Sequence, residues 1–77
     1  MTVEGFELVV YDLLNAKPFQ IFTVQLKDGT LHEIDHPLAL GYLQGVAIFT
    51  GPGGAKRVFD CDSVLQIIPA PAEDAAK

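Results

Sequence analysis

The sequence predicts a mainly β fold with one N-terminal α-helix, its five short antiparallel strands forming a small barrel or a strongly bent sheet. Three observations lead there. Apolar residues recur at helical spacing through the first sixteen positions and at a spacing of two afterwards. Glycine, proline and aspartate then interrupt the chain every few residues, which suits tight turns between strands. Finally, five strands within roughly 50 residues have to share one core, and a sheet that short shares a core by bending.

The helix is expected over residues 2–16. Thr2 is the candidate N-cap, and Glu4 and Glu7 suit the positive N-terminal end of a helix. Phe6, Val9 or Val10, Leu13 and Leu14 make one apolar stripe. The run Leu8-Val9-Val10-Tyr11 also fits a strand, but the periodicity holds for more than two turns. Asn15 is a plausible stop and Pro18 prevents continuation.

The first strand is expected to open at Pro18-Phe19 and run to Leu26, and the second to span Thr30 to His36, where Pro37 ends it. Asp28-Gly29 supplies the turn. A two-residue loop sets Val24 opposite Glu33 and Phe22 opposite Asp35, placing carboxylates on the apolar face. A three-residue loop with Gly29 left-handed sets Leu26 opposite Thr30, Val24 opposite His32 and Phe22 opposite Ile34. The second register is preferred, because it buries Ile34 and leaves Glu33 and Asp35 in water, with Leu31 beside them. Gly29 is then the residue expected to tolerate substitution worst, because other residues are strained at positive φ.

Residues 37–45 contain a proline and two glycines. They read as an irregular arm with Leu38, Leu40 and Leu43 turned inward, or alternatively as an edge strand. Val46–Thr50 is the third strand, Gly51-Pro52-Gly53-Gly54 a turn, and Ala55–Asp60 the fourth strand. Asp62-Ser63 bends the chain into a fifth strand, Val64–Ile68. The domain is expected to end at residue 69, with residues 70–77 a disordered tail that has nothing to bury.

Composition narrows the function. At 77 residues the chain has room for one modest core, and a chain this short buries only about 60–65% of its unfolded surface. Nearly half the residues, 49%, are apolar, and surplus apolar surface on a small domain goes to a partner or a second copy. A homo-oligomer through strand edges or the apolar helix face, and a protein partner, are therefore expected. The net charge of −5 disfavours nucleic acid in general; Lys27, Lys56 and Arg57 are the candidate contacts if a local patch exists. Nothing in the sequence calls for a cofactor, and no apolar run is long enough to span a bilayer. An acidic N-terminus without a basic start, and one cysteine, suit the reducing cytoplasm.

No enzymatic set emerges. His32 and His36, four apart on a strand, lie about 13 Å from each other, too far to share a metal. His32 reads as a residue at the edge of the core and His36 as an exposed strand end. Cys61 sits between Asp60 and Asp62, a setting that disfavours a thiolate. The glycine turn before Lys56 and Arg57 lacks the order and the following helix of a phosphate-binding loop.

Taken together, the helix, the stretch F-T-V-Q-L-K-D-G-T (Phe22–Thr30) and the apolar spacing of Phe59–Ile67 resemble the Sm/LSm-like family, which includes the bacterial host-factor RNA chaperone. Pro18, Phe19, Phe22-Thr23-Val24, Asp28-Gly29 and His36-Pro37 are also similar to the pattern of a set of short bacterial proteins. The first resemblance implies an SH3/Sm-like barrel assembled by strand-edge pairing, and covers about two thirds of the chain. The RNA-site motifs of that family are replaced here by His36-Pro37-Leu38 and Asp60-Cys61. The sequence therefore points first to a non-catalytic small-barrel module that self-associates and binds a protein, and second to a ring-forming RNA or DNA binder.

Overall fold

Helix α1 spans Val3–Leu14, close to its expected limits. The Thr2 hydroxyl accepts a hydrogen bond from the Gly5 N–H at 3.0 Å, so the expected N-cap is in place. At the other end the Asn15 side-chain amide donates to the Tyr11 carbonyl at 2.8 Å and ends the helix. Phe6 and Val10 are fully buried, with Leu13 and Leu14 packed beside them. The computed structural model describes residues 1–75.

Two antiparallel three-stranded sheets follow, one ordered β2-β1-β6 and the other β3-β4-β5. The strands are β1 (Phe22–Leu26), β2 (Leu31–Ile34), β3 (Leu40–Leu43), β4 (Val46–Thr50), β5 (Lys56–Asp60) and β6 (Val64–Ile68). The mainly β fold with one N-terminal helix is as expected, but there are six strands in two sheets and no closed barrel among the described residues, where five strands in a barrel or a strongly bent sheet were expected. The first strand begins at Phe22 rather than Pro18, although Phe19 still lays its ring edge against Phe22. The second stops at Ile34 rather than His36. There the His36 carbonyl accepts from Ala39 N–H and His36 Nδ1 accepts from Leu38 N–H, forming a turn around Pro37.

The β1–β2 register is the three-residue one: Phe22 opposes Ile34 and Val24 opposes His32. Leu26 N–H donates to the Thr30 carbonyl, Gly29 has φ +94°, and Asp28 Oδ1 accepts from Thr30 N–H at 2.9 Å. The alternation of β1 therefore directs Phe22, Val24 and Leu26 into the core with Ile34.

The additional strand lies in residues 37–45, where β3 forms an edge of its sheet, the alternative expected for this stretch, in place of the irregular arm. Gln44 and Gly45 both have positive φ, +52° and +84°, and join Leu43 to Val46 in a two-residue hairpin. Of the three leucines expected to turn inward, only Leu40 does so; Leu38 and Leu43 are exposed. In a strand with this register Leu40 and Leu43 have opposite parity, so both cannot face the core.

The described part of the C-terminal stretch is docked rather than disordered. Its Ala70 carbonyl accepts from the Thr23 hydroxyl at 2.7 Å, and Ala72 N–H donates to Glu33 at 2.8 Å. Thr23 and Glu33 are cross-strand partners on the outer side of the first sheet. Covered by this segment and its one-turn helix α2 (Ala72–Ala75), Thr23 is completely buried, and Glu33, expected in water, is half-buried. The last two residues of the expected tail lie outside the described residues.

Side chains close the gap that the backbone ladders leave. His32 from β2 stacks on Phe59 from β5, with ring centroids 5.4 Å apart, and lies 5.0 Å from the Phe49 ring of β4. Phe6 of α1 meets Phe59 edge to face at 6.4 Å. The helix thus roofs a core whose two sheets touch through aromatic rings.

Candidate functional site

Strand β4 explains why one face of the second sheet stands out. Val46-Ala47-Ile48-Phe49 is a continuous apolar run, and in a strand alternate residues face opposite ways. Ala47 goes to the core with Leu40 and Phe59, which leaves Val46 and Ile48 outside. Register then lines them up with their neighbours. Gly41, Ile48 and Val58 make one row across the three strands, and Leu43, Val46 and Asp60 make the next. Leu43 is 75% exposed, Val58 68%, Val46 46% and Ile48 45%, so four aliphatic side chains share one open surface. Gly41 carries no side chain in its row, and a shallow groove lined by Tyr42, Leu43, Gln44, Val46 and Ile48 runs past it. Lys56 and Asp60 flank Val58 on the same strand face.

This surface differs from the rest of the exterior. The apolar stripe of α1, an expected oligomer face, is committed to the chain's own core through Phe6 and Val10. Val3, Leu8, Val9 and Tyr11 remain outside on the helix, but Val3 and Val9 border the buried stripe on opposite sides, and Glu4 and Asp12 lie among Leu8 and Tyr11 at helical spacing.

The three candidate nucleic-acid contacts do not gather into one patch. Lys56 and Arg57 are consecutive in β5, so they point to opposite faces. Lys27 borders a groove that also presents Asp28, Asp60 and Asp62. Asp28 and Gly29 form the turn expected of them. Among the described residues, no three His, Cys, Asp or Glu side chains group closely enough to hold a metal ion. His36 is not on a strand with His32. Cys61 is buried, and its N–H donates to the Gly45 carbonyl at 2.7 Å. No described helix is long and apolar enough to cross a membrane.

His32 has a titration consequence. Burial between the rings, and then the nearby Arg57 guanidinium, hold its pKa below the ordinary 6.5, with the Asp28 carboxylate opposing them. The unfolded chain then binds the His32 proton more readily than the folded one. The part of the stability linked to His32 is fully present above about pH 6.5 and is lost as pH falls through the window between 6.5 and the lowered folded value. The Thr30 N–H likewise lowers the Asp28 pKa below 3.8, so its contribution is lost only in a more acidic window. We therefore expect the urea midpoint to drop between about pH 6.5 and pH 5, and the slope to flatten in His32→Phe. An equal slope in that variant would assign the effect elsewhere.

No protein-family model, no curated protein and no solved structure matches this chain.

Proposed function

We propose that this chain is a non-catalytic interaction module that self-associates and binds a protein partner through the outer face of the β3-β4-β5 sheet. The observation that carries the reading is the contiguous surface of Leu43, Val46, Ile48 and Val58, aliphatic and open to solvent. A strand face of this kind loses favourable free energy to water at about 25 cal/mol for each Å² left uncovered, and a covering surface recovers it. A polar outer face is the usual arrangement for an antiparallel sheet with one side in water. The single buried thiol, Cys61, supports a reducing compartment such as the cytoplasm. The Sm-like alternative of RNA or DNA binding has less support, with Lys27 among three carboxylates and Lys56 and Arg57 on opposite faces.

Sedimentation velocity over a concentration series tests the proposal. The chain should sediment faster as concentration rises, and Val58→Lys or Ile48→Lys should hold it at the monomer value. Both positions are exposed, so the folded state should lose less than about 0.5 kcal/mol. A monomer at every concentration, or a dimer indifferent to both substitutions, would remove this face from consideration.

A further inference from the structure

The charges on β5 say what the covering surface is. On the outer face this strand reads Lys56, Val58, Asp60: a cation, an apolar centre and an anion. The cation and the anion stand about 13 Å apart along the strand. Such a pattern is complementary to its own reversed copy. We infer that the occupant of the face is a second copy of this chain, packed face to face about a two-fold axis lying across the strands at the Ile48–Val58 row. This inference rests on the proposed function and fixes its geometry.

The symmetry choice follows from elimination. When two identical sheet faces pack with their strands aligned, the two-fold axis runs close to the strands or close to the perpendicular across them. The axis along β4 lays Leu43 of one copy over the Asp60 column of the other, burying carboxylates against aliphatic side chains. The axis across the strands reverses β5. It sets Val58 over Val58, Ile48 over Ile48, and Lys56 of each copy over Asp60 of the other. Leu43 and Val46 then cover the Thr50 end of the opposing sheet. Packed sheets lie about 10 Å apart, a gap that a lysine and an aspartate can span between them.

Area sets the strength. Three strands of four or five residues offer a face of roughly 14 by 17 Å. That is small beside the roughly 800 Å² per partner of a stable complex, so association belongs in the micromolar range or weaker. The concentration series therefore has to reach roughly hundreds of micromolar before such a contact is well populated.

The test is charge exchange between full-length chains, read by sedimentation equilibrium. Lys56→Glu alone should weaken self-association by roughly tenfold, because the new carboxylate of each copy then meets Asp60 of the other. Asp60→Lys alone should do the same. Mixed in equal amounts, the two variants should pair with each other about as tightly as the unmodified chain pairs with itself. Asp60 also accepts hydrogen bonds from Ser63 N–H and Oγ, so Asp60→Lys risks disturbing the bend. Asp60→Asn keeps an acceptor there. Added to Lys56→Glu, it should recover most of the lost association, whereas Asp35→Asn, the same charge change elsewhere, should not. If Val58→Lys abolishes the dimer but the mixture gains nothing and Asp60→Asn rescues no better than Asp35→Asn, the two-fold arrangement is wrong while the face reading survives. A dimer indifferent to Val58→Lys, or none at all, overturns both.

Discussion

Phe6→Ala should destabilise the protein by about 3–5 kcal/mol. Phe6 is completely buried and leaves α1 to meet Phe59 of β5 edge to face. Truncation removes the ring's burial, leaves a cavity, and forfeits the ring pair, itself worth about 0.5–1.5 kcal/mol. The loss is large beside the total. A folded chain of this length is stable by on the order of 4–12 kcal/mol, so a substantial unfolded fraction should appear without denaturant at the low end of that range. Because no backbone ladder joins the two sheets among the described residues, the cavity also opens where side-chain packing, and not strand pairing, holds them against each other. Urea unfolding followed by circular dichroism measures the effect, with Leu8→Ala on the exposed side of the same helix as the control. A loss from Phe6→Ala under about 1 kcal/mol would show that the helix is dispensable to the sheets.

How far the fold was legible depended on how local its causes were. The β1–β2 register rested on alternation and on Asp28-Gly29, both contiguous in the chain, and Phe22 does oppose Ile34. The helix rested on its cap and its stripe, and both are where the periodicity put them. Strand β3 was obscured by its turn. Gln44 sits at φ +52°, a conformation for which asparagine, aspartate or glycine is the usual signal, so the Gln44-Gly45 hairpin looked like irregular chain. The docking of Ala70 and Ala72 had no local signal at all, because its partners Thr23 and Glu33 lie 47 and 39 residues away. The outer face of the second sheet had a signal that was legible: a fully apolar run at Val46–Phe49 in a chain short of layers to cover both its sides. What the run could not reveal is that register brings Leu43 and Val58 alongside it, since the hairpin that sets Leu43 was hidden.

The same distinction between local and distant causes reverses the ranking of the glycines. By sequence Gly29 is the sensitive one, and its φ of +94° does call for glycine. Yet a Cβ added there meets nothing within 4 Å. Gly29→Ala should cost only the left-handed penalty of about 1–2 kcal/mol, partly offset by the stiffer unfolded chain. Gly45 carries the same penalty at φ +84° and lies where three segments meet. Its N–H donates to Glu7 of the helix at 2.9 Å and its carbonyl accepts from Cys61 at 2.7 Å. A Cβ on Gly45 comes 2.9 Å from a methyl of Val3 and 3.2 Å from the Cys61 sulfur. Val3 is β-branched and held in the first helical turn, so relieving the contact means shifting the helix start or the hairpin, an overpacking cost of about 1–3 kcal/mol. Gly45→Ala should therefore cost about 2–4 kcal/mol, clearly more than Gly29→Ala. It should also speed hydrogen exchange at the Cys61 amide, while Gly29→Ala leaves that amide protected. Equal losses of stability in the two variants, with Cys61 exchange unchanged, would mean that the contacts at Gly45 yield freely and that backbone conformation alone sets the cost.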